Sequence, residues 1–311
     1  MKILVFGAGA IGGVIGALLS RRQDVLLVTR GEHLEAIRSV GLTIDGVIKE
    51  NFQINASDSS SLDGKYDMIL VTVKAYATVE AASICKGRLK RKGTVLTVQN
   101  GIGNAEKLAT VFGRDRVVAG VTSLAAHRLK PGTIEYVAEG LISLGTLDGG
   151  CGPIEKPEEA LSKAGIETKR TQNIAGAIWS KAIVNAAINP LTSVFNCRNG
   201  LIAENAALRA QVVKVCEEGM KVAGTLGIRL EPEDVINYTF EVAKRTAKNK
   251  SSMLMDIELK RRTEIDAICG SIIEAGRSKG VETPQSHGSM RSSNSWSPGI
   301  RSSESLMLNL D

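Results

Sequence analysis

A short apolar run, Lys2-Ile-Leu-Val-Phe6, breaks into glycines at Gly7, Gly9 and Gly12 and resumes as Val14-Ile-Gly-Ala-Leu-Leu19. Few folds accept this order: it reads as a strand, a tight turn and a helix. Gly7 permits the turn, Gly9 lets the backbone come close to a pyrophosphate, and Gly12 lets the helix pack against the strand. The helix then begins with free N–H groups aimed at phosphates, so Gly7, Ala8, Gly9, Ala10, Ile11 and Gly12 are candidate dinucleotide-binding residues. A second apolar strand, Asp24–Thr29, closes the βαβ unit that gives the glycine pattern its meaning. An export signal is the competing reading of an apolar start. The interspersed glycines, the lack of a small-residue cleavage site and the run into Arg21-Arg22 exclude it.

A chain of 311 residues exceeds the usual single domain, which predicts two. The net charge of +6 invites a nucleic-acid reading, but Lys and Arg are scattered among Asp and Glu and aromatic residues make up only 4%. No stacking platform or basic face follows, so phosphate- and carboxylate-bearing small molecules are the expected partners and nucleic acid is not. Five cysteines, Cys85, Cys151, Cys197, Cys216 and Cys269, show neither a paired motif nor metal spacing. Reduced thiols in a cytoplasmic protein, with no metal site, are expected. No run of eighteen apolar residues predicts a membrane span.

After the second strand, Arg30 stands where an NAD-specific fold usually places an acid against the ribose 2′-hydroxyl. A cation there suits a 2′-phosphate and hence NADPH, or is a solvated loop arginine. Asp67–Val73 is nearly continuous in apolar residues, as a strand buried on both faces should be, and ends at Lys74. Ligands of open α/β sheets bind beyond the carboxyl ends of strands, so Lys74 is placed to share that phosphate. Thr94–Gln99 ends in Asn100-Gly101, which reads either as a ligand contact or as an ordinary turn. Val117–Thr122, Leu141–Gly145 and Ile166–Thr168 read as further strands, with a helix from about Glu155.

From Asn173 the apolar period becomes helical, marking an all-α domain over 171–284 behind a Rossmann-type domain over 1–170. Its first helix carries Lys181, Asn185 and Asn189 at i, i+4 and i+8, on one face. Such a stripe is either the wet side of an amphipathic helix or a site offering one cation and two amides among small apolar neighbours. Further helices are expected over Ala206–Leu226, from Pro232 as an early helical proline, and after Ser252, the last presenting Asp256, Glu258, Glu264 and Asp266. His33, His127 and His287 lie in no convincing acid–base setting.

The motifs together resemble those of ketopantoate reductases (2-dehydropantoate 2-reductases): Gly-Ala-Gly-Ala-Ile-Gly at 7–12, Val-Lys-Ala-Tyr at 73–76, Gln-Asn-Gly at 99–101, the Lys181/Asn185/Asn189-Pro190 stripe, Asn-Cys-Arg-Asn-Gly at 196–200, Asn249-Lys-Ser-Ser252 and Thr-Glu-Ile-Asp at 263–266. The resemblance implies NADPH-dependent reduction of 2-dehydropantoate to (R)-pantoate, on the way to pantothenate and coenzyme A, with Lys181 as proton donor. It implies substrate contacts from Asn100, Asn185, Asn189, Asn199, Asn249 and Ser252. Cofactor contacts are implied for residues 7–12, Arg30, Lys74, Asn100, Ala126 and Glu264. The chemistry agrees: hydride arriving at a keto carbon builds charge on its oxygen, which an ammonium can stabilise and then protonate. Reduction of another branched 2-keto acid and a non-catalytic NADP sensor remain the alternatives, and a homodimer is a reasonable expectation.

The resemblance fails after Pro284, where the family continues with an amphipathic helix and this chain turns serine-rich. Residues 285–311 are expected to be disordered. Back-translation of Ser286 to Ser297 holds, in another frame, Thr-Arg-Leu-Tyr-Glu-Val-Val-Lys-Phe-Leu-Glu, which is an amphipathic helix; a shifted reading frame or a genuine lineage-specific tail accounts for the difference.

Overall fold

Buried apolar strands alternating with helices are what a parallel sheet requires, and the computed structural model, which describes residues 1–150 and 152–294, contains one. The strands are β1 (Lys2–Phe6), β2 (Asp24–Val28), β3 (Leu42–Gly46), β4 (Glu50–Phe52), β5 (Asn55–Ser57), β6 (Tyr66–Val71), β7 (Leu89–Thr97), β8 (Val117–Thr122), β9 (Ala125–Lys130), β10 (Thr133–Ala138), β11 (Ile142–Thr146) and β12 (Thr168–Arg170). Eight of them form one sheet in the order β12-β11-β8-β7-β6-β1-β2-β5, parallel except for the β8–β11 pair. Helices α1 (Ala10–Ser20), α2 (Glu32–Val40), α3 (Thr78–Cys85), α4 (Asn104–Phe112) and α5 (Glu155–Lys163) belong to the same unit. In register, Phe6 of β1 lies opposite Val28 of β2 and Val71 of β6. The three strands therefore end together, and Gly7, Arg30 and Lys74 follow from one edge of the sheet.

A second sheet, in the order β4-β3-β10-β9, is absent from the sequence reading. Its strands are short, but Leu42 and Ile44 alternate with more exposed neighbours as one half-buried face requires. This sheet packs on α1: a Cβ added to Gly13 would lie 2.2 Å from the Ile134 side chain, so only glycine admits that approach.

The helical unit comprises α6 (Ile174–Val194), α7 (Gly200–Glu204), α8 (Ala206–Thr225), α9 (Val235–Arg245), α10 (Ser252–Glu258), α11 (Ser271–Ser278) and α12 (Pro284–Asn294), around a core that includes Trp179, Ile183, Val212, Cys216, Phe240 and Ile268. The division expected at residue 170 falls at Ile174, and the chain also lends Asn100–Ile102 to the helical unit before returning to the sheet unit at Gly103.

Three local expectations change. Pro232 precedes α9 rather than opening it: Asp234 is the N-cap, its carboxylate accepting from the Asn237 N–H at 2.9 Å. The helix expected to present four carboxylates breaks after Glu258, where Lys260 takes a left-handed φ of 52° and the Arg261 N–H bonds back to the Asp256 carbonyl. Asp256 and Glu264 therefore lie on separate elements. Residues 285–294, expected to be disordered, continue α12, while 295–311 lie outside the described residues. The cause is non-local. Glu218 of α8 accepts the Gln285 N–H (2.7 Å), the Ser286 N–H (2.9 Å) and the Ser286 hydroxyl (2.9 Å), satisfying donors that open the helix. Pro284 stands at the first helical position, where its missing N–H costs nothing.

Candidate active site

The sheet unit holds one set of the expected site residues. At the end of β1, Gly7 has φ +111° and a Cβ there would lie 2.6 Å from the Val73 nitrogen, so the turn requires glycine. The Gly7 and Ala8 N–H groups both donate to the Val28 carbonyl, at 3.1 and 2.8 Å. A Cβ on Gly12 would strike the Thr72 hydroxyl at 2.2 Å and the Gly7 carbonyl at 2.3 Å. Thr72 was not singled out from sequence, yet its hydroxyl donates to the Gly7 carbonyl at 2.9 Å and locks the turn. At Gly9, by contrast, a Cβ would meet no protein atom within 4 Å. Glycine is not demanded there by the protein's own packing. The open space lies at the N-cap of α1, where the N–H groups of Ala10, Ile11 and Gly12 precede the first intrahelical bond, from Gly13 to Gly9 at 2.8 Å. Room over Gly9 beside unspent donors and a helix dipole fits a pyrophosphate.

Arg30 is exposed and Lys74 half-buried, each just past the carboxyl end of a strand flanking β1. Ala126 lies on β9, in the second sheet. Gln99 fixes the segment that carries Lys74: its amide donates to the Val73 carbonyl at 2.7 Å and the Thr78 hydroxyl at 2.8 Å, and accepts from the Thr97 hydroxyl at 2.9 Å.

The helical unit holds the others. α6 runs unbroken through Lys181, Asn185 and Asn189, so their spacing does place them on one helical face. Lys181 and Asn185 are half-buried and Asn189 is 4% exposed. This is not a solvated stripe. Burial pushes the Lys181 ammonium down to about 8, and the Glu264 carboxylate pulls in the opposite direction. Glu264 lies immediately before a helical segment whose π-type turn spans Asp266–Gly270, its carbonyl accepting from the Ala267 and Ile268 N–H groups. Single π turns inside helices occur frequently at functional sites. Asn100 is held beside the same segment. The Ile102 N–H donates to the Ala267 carbonyl at 3.0 Å, and Gly101, with φ +85°, leaves no space for a Cβ against that carbonyl.

The loops around Asn199 and Asn249 are joined: the Asn199 N–H donates to the Asn249 carbonyl at 3.0 Å, and the Asn199 amide donates to the Thr246 hydroxyl at 2.9 Å. Ser252 is exposed in the first turn of α10. Its neighbour Ser251, passed over in the sequence, is buried, caps α10 through the Leu254 N–H and accepts from the Thr192 hydroxyl at 2.8 Å. Asp256, 7% exposed, is a further buried acid of this unit. Two buried atoms here have no protein partner: the Asn189 amide nitrogen and the Asn199 side-chain oxygen. A buried donor and a buried acceptor without partners are costly in a folded core. Among the described residues no cluster of His, Cys, Asp or Glu is suited to hold a metal ion.

Known proteins match the chain along most of its length. The ketopantoate reductase PanE/ApbA family matches residues 3–149, and its C-terminal counterpart matches residues 173–288. A 2-dehydropantoate 2-reductase of Pyrococcus horikoshii is 40% identical over 289 residues, covering 91% of this chain and 93% of its own. Among solved structures, D-mandelate dehydrogenase with NADH and anilino(oxo)acetate superposes with a TM-score of 0.90 at 26% identity, covering 95% of this chain and 98% of its own. A PanE/ApbA family ketopantoate reductase from Ralstonia eutropha gives 0.87 at 28%, with the same coverage of each chain. Matched in both halves and nearly end to end, the chain belongs to the ketopantoate reductase family.

Proposed function

We propose that this protein is an NADPH-dependent 2-dehydropantoate 2-reductase, forming (R)-pantoate. The observation that carries the reading is Lys181: an ammonium withdrawn from water on α6, coupled to Glu264, on the same face as the stranded amide of Asn189. A dinucleotide held at the glycine turn would supply the hydride for the keto carbon. Lys181 stabilises the charge that grows on the keto oxygen and gives up its proton there. Its lowered pKa makes that transfer easier than from an ordinary lysine while leaving the group largely protonated at neutral pH. Asn185, Asn189, Asn199, Asn249 and Ser252 would hold the substrate, because amides and hydroxyls donate and accept without adding charge. Asn100 and Glu264 would serve both ligands. The N-terminus of α1 would take the pyrophosphate, with Arg30 and Lys74 as cations for a 2′-phosphate. Four free thiols among the described residues suit a reducing cytoplasm.

A second reading has support from one structure: the likeness to D-mandelate dehydrogenase bound to NADH favours a bulkier 2-keto acid and the unphosphorylated cofactor. Initial rates with NADPH and NADH against 2-dehydropantoate, 2-oxoisovalerate and benzoylformate separate the two. The expected result is the highest kcat/KM for 2-dehydropantoate with NADPH. Preference for benzoylformate with NADH would replace this reading by the second, and binding of NADPH without turnover on any keto acid would make the protein a sensor.

A further inference from the structure

His33 has no part in the chemistry above, yet it is 3% exposed and both of its ring nitrogens are engaged. It sits in the first turn of α2, three residues after Arg30. Its Nδ1 lies 2.9 Å from the Gly132 N–H, which can only donate, so Nδ1 must be the acceptor. The ring proton is therefore on Nε2, which faces the Ala8 carbonyl at 3.0 Å and donates to it. The turn that supplies Gly132 is itself fixed. Its carbonyl accepts from the Thr43 N–H at 2.9 Å, and its Cα stands so close to α2 that a Cβ would lie 2.9 Å from that of Ala36.

The consequence falls on the Ala8–Gly9 peptide. Its N–H is bonded to the Gly7 carbonyl at 2.7 Å, and its carbonyl is held by His33. Both ends of the plane are committed. Gly9, on one side of this peptide, has no Cβ to restrict it, so the orientation of the plane rests on these two bonds. Without His33 the carbonyl end of this peptide is left unheld beside Gly9, where an anion needs donors and not a loose acceptor. We propose that His33, as the Nε2–H tautomer, is a positioning residue for dinucleotide binding: it pins the Ala8 carbonyl and so keeps the glycine turn open to the pyrophosphate. The proposal rests on the reading of residues 7–12 as the pyrophosphate site.

The test separates the two ring nitrogens. His33→Gln places an amide donor near the position of Nε2, His33→Asn places an acceptor near Nδ1, and His33→Leu supplies neither. Dissociation constants for NADPH and NADH are measured by nicotinamide fluorescence, alongside the melting temperature of each ligand-free protein. The expected result is a loss of roughly tenfold for Asn and Leu, the value of one such hydrogen bond, with Gln restored close to wild type. Both cofactors should lose the same factor, since they share the pyrophosphate. Affinities unchanged in all three variants, or losses that follow melting temperature with Gln no better than Asn, would overturn the proposal. Should the Leu variant fail to fold, the Gln–Asn comparison decides alone. Nitrogen-15 spectra of the ligand-free wild type give an independent answer: a protonated Nε2 is expected, and a protonated Nδ1 would refute the assignment. A wild type that binds neither dinucleotide would sink the underlying reading and this proposal with it.

Discussion

Lys181 converts its surroundings into a pH signature. In the free protein its ammonium loses its proton at about 8, so the acid needed for the proposed transfer is present below that value and lost as pH rises through it. The expected profile of kcat/KM falls on the alkaline side near pH 8. A bound keto acid brings a carboxylate, which favours the ammonium, so the corresponding limb of kcat should lie higher. Lys181→Ala should lower kcat by roughly 10²–10³, by analogy with the loss of an oxyanion-stabilising donor, while NADPH affinity measured by fluorescence changes little. A variant with near wild-type turnover would remove Lys181 from the mechanism. The spacing 181, 185, 189 was legible as one helical face because helix geometry alone fixes it. The stranded amide of Asn189 and the role of Ser251 were not, since each depends on which distant groups approach it.

At the scale of elements, the large sheet was readable because strands buried on both faces leave continuous apolar runs such as Met68–Val71. The second sheet left only a weak alternation at Leu42 and Ile44 between polar neighbours, and its pairing of β3 with β10 joins segments far apart in the chain. Helix α12 is hidden in the sequence for a different reason. Its own composition is poor in helix formers, while the Glu218 carboxylate that opens it comes from a helix 67 residues away. Glu218→Ala should therefore destabilise the protein by about 1–3 kcal/mol, the cost of stranding donors that had a charged partner. Gly288, inside α12 with no atom within 4 Å of where its Cβ would be, offers the converse. Gly288→Ala should stabilise by about 0.5–1 kcal/mol through helix propensity and backbone entropy. Urea denaturation of both variants checks the pair, and opposite signs are expected. Equal stability of wild type and both variants would show that α12 adds nothing to the folded state.

The described residues form two apolar cores, one around β1, β6 and α1 and the other around α6 and α8. Their stability should respond to ligand by mass action: NADPH at a hundredfold excess over its dissociation constant adds about 2.7 kcal/mol to the folded state. Gly9 and Gly12 should respond to alanine in opposite ways. Gly12→Ala forces a methyl into Thr72 and the Gly7 carbonyl and should lower the melting temperature of the ligand-free protein, whereas Gly9→Ala meets nothing and should melt like wild type. The difference appears only when NADPH is added, and Gly9→Ala should then show no upward shift. A Gly9→Ala protein that gains as much from NADPH as wild type would show that the open space is not used. On these expected outcomes, two glycines three residues apart would be kept by different selective pressures. In a lineage that no longer needed the dinucleotide, purifying selection for a folded chain would retain Gly12 while Gly9 drifted to other small residues, so the state of that one codon records whether the ligand is still in use.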